Sequence, residues 1–159
     1  AKRAKVFGIS IHYHNRKKLP SLIEEPLEAT YWKHLDEMIK RMDIISINCP
    51  LTSETRGLMS RKRLNLMMPN SYIINSSRSE LIDEEALNFM LKKNKISGAG
   101  LDVFSREREK NLELLNASNT ILIPHMGSAT VEGRIEMGEK VIINIKTYID
   151  GHNPPNRII

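Results

Sequence analysis

Short apolar runs alternate with segments of helical periodicity along the chain, and this alternation limits the folds that the chain can adopt. Apolar runs that read as buried strands cover residues 9–13, 44–48, 71–75, 96–101 and 121–123. Between them, apolar residues recur with helical spacing over residues 35–42 and 87–91. Alternating strands and helices pack as a parallel sheet that is covered by helices on both faces. The chain is therefore predicted to be an α/β protein.

Capping signals sharpen the helix predictions. Asp83, followed by two glutamates, is a candidate N-cap for the helix that contains residues 87–91. A long final helix is predicted over residues 130–149, with Val141, Ile142 and Ile145 on one face. Residues 1–8 read as the last turns of a helix that stops at Gly8.

Three residues with complementary chemistry follow predicted strand ends in the second half of the chain. Arg78 follows the strand that ends at Asn75, Glu107 follows the strand that ends at Leu101, and His125 comes directly after Pro124. Ligands of open parallel sheets bind outside the carboxyl ends of the strands. The three side chains are therefore expected to converge on one site.

Together these side chains suit the reduction of a 2-oxo acid. An imidazole can give a proton to a carbonyl oxygen, a nearby carboxylate favours the charged ring and fixes it, and a guanidinium can grip a substrate carboxylate with two parallel hydrogen bonds. Each residue also has a structural alternative. His125 could be a core or helix-start histidine, Arg78 a surface ion-pair partner, and Glu107 a member of the charged run 106–110.

Four ordered blocks of sequence carry a resemblance to a known family. They are CPLTSETRG at residues 49–57, INSSR at 74–78 with DEEAL at 83–87, GAGLDVF at 98–104 and PHMGSAT at 124–130. Through these blocks the chain resembles the D-isomer-specific 2-hydroxyacid dehydrogenases, and within them the glyoxylate and hydroxypyruvate reductases. The resemblance implies a Rossmann-like, NAD(P)-binding sheet.

The resemblance also implies roles for individual residues. Arg78 would bind substrate, His125 would act as the acid/base and Glu107 would be its partner. The residues expected to line the nicotinamide and phosphate side of the cofactor are Pro50, Thr55, Ser76, Asp102, His125, Gly127 and Ser128.

The chain departs from the family pattern at three positions and lacks one motif. Ser77 stands where Ala is commoner, Ser79 where Gly is usual, and Arg108 where a Pro normally follows the catalytic Glu. Losing that Pro frees the backbone after Glu107, and Ser79 matters only if its φ must be positive. No G-x-G-x-x-G turn occurs in the sequence. Residues 1–159 are therefore expected to be the C-terminal part of a dinucleotide-binding domain, without the first strand, the glycine-rich turn and the N-terminal substrate domain.

Cofactor preference can be argued from the residues after the predicted strand at 9–13. Sites that select NAD place an acidic residue at this point to bind the ribose 2′-hydroxyl, and that acid would repel a 2′-phosphate. Here the position is Asn15, followed by Arg16, Lys17 and Lys18. NADPH is therefore predicted over NADH. The alternative is that the three cations are ordinary surface residues.

The positive charge is confined to one segment. Of the 24 basic residues, which outnumber the 19 acidic ones, six lie within residues 1–18, where no acidic residue occurs. This distribution argues against a nucleic-acid-binding face over the whole domain.

The single cysteine, Cys49, allows no intrachain disulfide, fits a reducing compartment, and is expected to be a buried, inert thiol.

The sequence thus predicts a cytoplasmic oxidoreductase that uses NAD(P)H to reduce a short 2-oxo acid of the glyoxylate and hydroxypyruvate class. The full-length protein is expected to be a homodimer without a metal, a nucleic-acid partner or a membrane association. The 159 residues alone are expected to be inactive. A second hypothesis is an NAD(P)-sensing binding protein on the same scaffold, as in co-repressor-like relatives, because a fold can outlive its chemistry.

Overall fold

The computed structural model describes residues 1–105, 114, 116–127 and 129–157. Six strands and six α-helices are formed by these residues. The strands are β1 (His12–Tyr13), β2 (Thr30–Tyr31), β3 (Ile44–Ile47), β4 (Tyr72–Asn75), β5 (Gly98–Leu101) and β6 (Thr120–Leu122). The helices are α1 (Lys2–Val6), α2 (Ser21–Glu24), α3 (Leu35–Ile39), α4 (Arg61–Leu64), α5 (Glu84–Lys92) and α6 (Val131–Ile149). The chain divides into two compact units, Ala1–Leu122 and Ile123–Ile159.

Every pair of neighbouring strands is parallel, and within the described residues the six strands form two separate hydrogen-bonded sheets. One sheet holds β1 and β2, and the other holds β3 to β6 in that order. In the doubly wound strand order, the first strand lies between the second and the fourth. The break between β1 and β3 falls at that place, and the absence of the first strand of the domain stays a prediction.

The core of the first unit lies against the four-stranded sheet. Alternate residues of β3 and β4 are buried, among them Ile45, Ile47 and Ile73, because successive side chains of a strand point to opposite faces. β5 begins at Gly98, where a Cβ would lie 2.7 Å from the backbone oxygen of Asn119. Only glycine fits this close approach of two backbones.

Helices α3, α4 and α5 belong to the same unit. α5 begins as predicted, with the Asp83 carboxylate accepting a hydrogen bond from the backbone N–H of Ala86 at 2.9 Å. Its apolar residues Leu87, Met90 and Leu91 are buried in the core. An ion pair between Asp36 and Arg63 links α3 to α4 at 2.7 Å.

The end of α1 was also predicted correctly. Gly8 adopts a φ of +75°, its N–H donates to Lys5 O, and the N–H of Ile9 donates to Ala4 O. This pair of bonds is the Schellman motif, in which glycine at the left-handed position ends a helix. The five predicted strands are present but mostly shorter than predicted, whereas β2, α2 and α4 were not predicted.

The second unit contains α6. The Thr130 hydroxyl accepts a hydrogen bond from Gly133 N–H at 3.0 Å, so the predicted start and end of this helix are confirmed. No residue of α6 is buried, although it carries many large apolar side chains. None of the described helices is both long and apolar enough to cross a lipid bilayer.

Candidate active site

The carboxyl ends of β3, β4 and β5 lie side by side, and hydrogen bonds join the segments that follow them. The Ser77 hydroxyl, after β4, donates to Cys49 O, after β3, at 2.6 Å. The N–H of Asp102, after β5, donates to Asn75 O at 2.9 Å. These hydrogen bonds join three neighbouring strand ends at one edge of the sheet. Ligands of open parallel sheets bind at this edge, outside the carboxyl ends of the strands.

Asn75 organises the turn that carries Arg78. It is the last residue of β4 and only 1% exposed, so its amide must find partners inside the protein. Its Nδ2 donates to Arg78 O at 2.8 Å, and its Oδ1 accepts from Ser77 N–H at 3.0 Å. The turn is held from both sides by one side chain. Asn75 was expected only as a strand end, so the sequence prediction missed this role.

Arg78 presents its guanidinium at the surface of this edge. The side chain is exposed, and its Nη1 donates to Ser77 O at 2.8 Å, which is its one hydrogen bond within the described part of the chain. The backbone at Arg78 is extended, with φ −144° and ψ 140°. The arrangement leaves several N–H groups of the guanidinium directed to solvent, as a binding site for a small carboxylate needs.

The two serines that depart from the family pattern are both accommodated. Ser79 begins a 3-10 turn over Ser79–Leu81 and is not among the residues with positive φ, so no glycine is needed there. Ser77 uses its hydroxyl for the bond to Cys49 that an alanine could not make. The third departure, Arg108, lies outside the described residues.

The segment after β3 is fixed by its own threonines. The Thr55 hydroxyl donates to Pro50 O at 2.7 Å and accepts from Thr52 N–H at 2.7 Å. The hydrogen of the Thr55 hydroxyl is thus committed within the segment. A hydrogen bond from the Thr52 hydroxyl, and to a smaller extent the charge of Arg16, lowers the pKa of Glu54. Arg16 is therefore within electrostatic range of this segment.

The loop after β1 carries the residues predicted to select the cofactor. Asn15 Oδ1 accepts from Arg16 N–H at 2.9 Å, and the Tyr31 hydroxyl donates to Asn15 O at 3.2 Å. Arg16 and Lys17 are exposed and form no ion pair with any described residue. Lys18 instead contacts Glu24 at 3.2 Å. Two exposed cations that form no ion pair with a described residue fit a phosphate group, although Arg16 lies within electrostatic range of Glu54.

His125 belongs to the second unit. It is exposed and its backbone has a φ of +55°, a conformation that non-glycine residues adopt rarely. Its N–H donates to Ile123 O at 3.0 Å, which closes a tight turn around Pro124. Gly127 is also exposed in this unit.

The predicted site residues thus fall into three groups. The first unit brings together Pro50, Thr55, Ser76, Arg78 and Asp102 at one sheet edge, with Asn15, Arg16 and Lys17 on the loop after β1. His125 and Gly127 lie in the second unit. Glu107 and Ser128 lie outside the described residues. Ser105, the last described residue before Glu107, donates its N–H to the Glu84 carboxylate at 2.8 and 3.1 Å.

Cys49 is half-buried, not fully buried as the sequence predicted, because it lies beyond the last residue of β3. Burial raises its pKa, and this reduces the thiolate fraction on which reactivity depends. The described residues contain no group of three or more His, Cys, Asp or Glu side chains that could hold a metal ion.

Known proteins share both the sequence and the fold of this chain. The model of the D-isomer specific 2-hydroxyacid dehydrogenase NAD binding domain matches residues 1–127. Glyoxylate reductase from Thermococcus litoralis is 44% identical over 158 residues, which are 99% of this chain and 47% of that protein. The chain thus spans about half the length of the curated relatives it matches.

Two solved structures illustrate the likeness in three dimensions. A D-isomer specific 2-hydroxyacid dehydrogenase from Polaromonas sp. JS6 66 has a TM-score of 0.91 and 36% identity, covering 99% of this chain and 49% of that chain. An NADPH-dependent glyoxylate/hydroxypyruvate reductase from Sinorhizobium meliloti, solved with NADP and malonate, has a TM-score of 0.84 and 34% identity, covering 93% and 45%.

Proposed function

Because the chain belongs to the D-isomer specific 2-hydroxyacid dehydrogenases through their NAD binding domain, we propose that the natural protein reduces a short 2-oxo acid to the 2-hydroxy acid. The substrate belongs to the glyoxylate and hydroxypyruvate class, because similar proteins are named glyoxylate reductase and glyoxylate/hydroxypyruvate reductase. The observation that carries the proposal is the sheet edge at which Asn75 and Ser77 hold the exposed Arg78.

The residues of the chain have separate tasks in this reaction. Arg78 binds the substrate carboxylate through two parallel hydrogen bonds and so orients the adjacent carbonyl. His125 holds a proton and delivers it to the carbonyl oxygen as that oxygen gains negative charge, then recovers a proton from water. Glu107 fixes the imidazole and favours its protonated form. A bound nicotinamide cofactor supplies the hydride to the carbonyl carbon.

The cofactor in the proposal is NADPH in preference to NADH. Arg16 and Lys17 bind the 2′-phosphate, and Asn15 occupies the place at which an acidic residue would repel it. The edge residues Pro50, Thr55, Ser76 and Asp102 line the cofactor together with His125, Gly127 and Ser128. The two exposed cations without an ion-pair partner among the described residues support this assignment.

His125→Asn in the intact natural protein tests the acid/base role. Asparagine tolerates positive φ, so the turn at residue 125 is preserved while the proton donor is lost. We expect kcat for glyoxylate or hydroxypyruvate to fall by about 10²–10⁴-fold in a variant that still binds NADPH. If the wild-type protein binds NADPH but turns over no 2-oxo acid, the sensing function of the second hypothesis replaces the enzyme.

Arg78→Ala tests the substrate-binding role. Its main effect is expected on KM for the 2-oxo acid, because the guanidinium binds the carboxylate. The control is Arg61→Ala, another exposed arginine, which lies 3.9 Å from the Glu85 carboxylate on the side of α4. Equal effects of the two substitutions would show that Arg78 acts only through surface charge.

Arg16→Asp tests the cofactor assignment. The new carboxylate repels a 2′-phosphate and can bind a 2′-hydroxyl, so the ratio of kcat/KM for NADPH over NADH is expected to fall by at least about tenfold. An unchanged ratio would contradict the assignment.

The proposal includes a cytoplasmic homodimer, for which the family resemblance and the single cysteine are the support. Sedimentation of the intact protein tests the dimer. We also propose that residues 1–159 represent the C-terminal part of the dinucleotide-binding domain and have negligible activity alone. Turnover by this chain at the rate of the intact protein would refute that statement.

A further inference from the structure

Three side chains close the loop that follows β1. The Tyr13 hydroxyl donates to Glu24 Oε1 at 2.7 Å, and Lys18 Nζ lies 3.2 Å from Glu24 Oε2. The backbone N–H of Leu19 donates to the Tyr13 hydroxyl oxygen at 2.9 Å. We name Tyr13, Lys18 and Glu24 the clasp. It joins the last residue of β1 to α2 across the intervening loop.

The carboxylate of Glu24 is the central group of the clasp. Glu24 is 8% exposed, whereas the Lys18 side chain is 61% exposed. The hydrogen bond from Tyr13, followed by the contact with Lys18, lowers the pKa of Glu24 although burial opposes this. A carboxylate in such a place is costly unless both oxygens have partners, and here each oxygen has one. The clasp therefore fixes geometry more than it adds stability.

The loop held by the clasp contains the cofactor-selecting residues. Asn15, Arg16 and Lys17 lie between the two points at which the clasp attaches, Tyr13 and Lys18. A short loop that is fixed at both ends has few conformations, so little entropy is lost when its side chains bind a ligand. The clasp also takes Lys18 out of the set of available cations, because its ammonium group is paired with Glu24.

We propose that the clasp determines dinucleotide specificity by positioning Arg16 and Lys17 for the 2′-phosphate of NADP(H). Tyr13 and Glu24 are positioning residues that need not touch the ligand. This inference rests on the proposed function, since it requires that the loop after β1 meets the adenosine end of a dinucleotide.

The test is a pair of binding measurements on the intact natural protein, with NADP⁺ and NAD⁺ as calorimetric titrants. Tyr13→Phe removes the hydroxyl without changing charge. We expect the dissociation constant for NADP⁺ to rise about tenfold and that for NAD⁺ to stay within about twofold, since only the former uses the cations. Tyr72→Phe is the control, because Tyr72 is a half-exposed tyrosine of β4. An unchanged ratio of the two constants in Tyr13→Phe overturns the proposal.

Glu24→Gln separates positioning from simple charge. Removing a negative charge beside the loop would by itself strengthen NADP⁺ binding. If the clasp positions the loop, loss of the contact between Glu24 and Lys18 should instead weaken NADP⁺ binding, by about threefold. Glu25→Gln, the same charge change at an exposed neighbour, is the control. Tighter NADP⁺ binding by Glu24→Gln contradicts the proposal.

Amide hydrogen exchange gives a reading that needs no substitution. The Leu19 amide is expected to exchange slowly in the wild-type protein, and fast exchange would show that the clasp is not formed. Loss of this protection in Tyr13→Phe, with an unchanged melting temperature, distinguishes a released loop from an unfolded protein.

If the wild type binds neither dinucleotide, the proposed function fails and the specificity role fails with it. If the wild type binds both NADP⁺ and NAD⁺ and the ratio of their dissociation constants is unchanged in Tyr13→Phe, only the specificity role of the clasp is refuted.

Discussion

At the scale of single residues, the position of Arg78 depends on the buried amide of Asn75. Asn75→Ala removes the bonds to Arg78 O and Ser77 N–H. Ser77 N–H then has no partner among the described residues, whereas Arg78 O keeps the longer bond from Leu81 N–H at 3.3 Å. Groups that lose a partner in a buried place cost about 1–3 kcal/mol, so the free energy of unfolding is expected to fall by that amount. KM for the 2-oxo acid should rise as the turn loosens.

Urea unfolding and steady-state kinetics measure the two effects of Asn75→Ala. The control is Asn48→Ala, because Asn48 is exposed and its amide donates only to the nearby Ser46, at 3.1 and 3.3 Å. A variant at Asn75 with wild-type stability and KM would show that the turn is held by other contacts.

The Asp83 cap could be predicted from the sequence because it follows a local capping rule. Arg78 and His125 stand in sequence blocks that mark them directly, and their roles stay predictions. Asn75 bonds to groups only two and three residues later, but the motif did not indicate that its side chain is buried. The role of Glu24 could not be predicted, because it arises from burial and from a partner, Tyr13, that lies 11 residues away.

At the scale of elements, the ion pair between Asp36 of α3 and Arg63 of α4 makes the packing of these helices dependent on pH. The Arg63 guanidinium holds the pKa of Asp36 below its usual value, with burial opposing. Because the pKa of Asp36 is lower in the folded protein than in the unfolded chain, its ionised carboxylate stabilises the fold at pH values above about 3.9, the pKa of an aspartate in an unfolded chain. This stabilisation is lost as the pH falls through the pKa of Asp36 in the folded protein. Asp36→Asn is therefore expected to cost about 0.5 kcal/mol at pH 7 and less at pH 3.

Chemical denaturation at the two pH values measures the effect of Asp36→Asn. The estimate is small because the Asp36 side chain is 39% exposed and water screens the pair. Glu37→Gln is the control, since Glu37 pairs only with Lys40 within one turn. A loss of stability in Asp36→Asn that is equal at both pH values would contradict the ion-pair explanation.

Two glycines of the last helix are expected to respond to alanine with opposite signs. Gly138 lies within α6, and nothing would contact a Cβ there within 4 Å. Gly138→Ala should therefore stabilise the helix by about 0.5–1 kcal/mol. Gly151 follows the helix with a φ of +78°, so Gly151→Ala strains the backbone and should destabilise it. Thermal melting followed by circular dichroism measures the melting temperatures of both variants. Shifts of the two melting temperatures in the same direction would contradict this explanation.

The elements that escaped the sequence prediction are the shortest ones. β2 has only two residues, Thr30 and Tyr31, and its register follows from pairing with His12 and Tyr13. α2 and α4 have four residues each, less than the span over which helical periodicity can be recognised. α6 and α5, by contrast, have a capping residue and a repeating apolar pattern, and both were predicted with their correct starts.

At the scale of the whole molecule, β3 is the edge strand of the four-stranded sheet and pairs only with β4 among the described residues. Its sequence, Ile-Ile-Ser-Ile, contains neither charge nor proline, the features that usually prevent edge-to-edge pairing. The 159-residue chain on its own is therefore expected to self-associate. Sedimentation velocity should show the association increasing with concentration, and Ile44→Lys should reduce it.

A matched control is available on the adjacent strand. Tyr72 of β4 pairs directly with Ile44 and is 49% exposed, against 48% for Ile44. If chains associate through the open edge, Tyr72→Lys should have a much smaller effect than Ile44→Lys. Equal effects would assign the association to the apolar face of the sheet.

The break between the two sheets was the feature of the whole fold that sequence patterns could not fully specify. They indicated a parallel arrangement and the lack of a first strand. They did not indicate that β1 and β2 would pair with each other alone, because pairing depends on which backbone groups find partners in space.

That break has a consequence for protein engineering. A ladder of hydrogen bonds is a stiff connection, and within the described residues none runs from β1 and β2 to the strand that ends at Asn75. In the proposed function, coenzyme choice and carboxylate recognition would therefore depend on two sheets that no backbone ladder joins within the described residues. The loop after β1 can be redesigned for another dinucleotide while the ladder that supports Arg78 keeps its register.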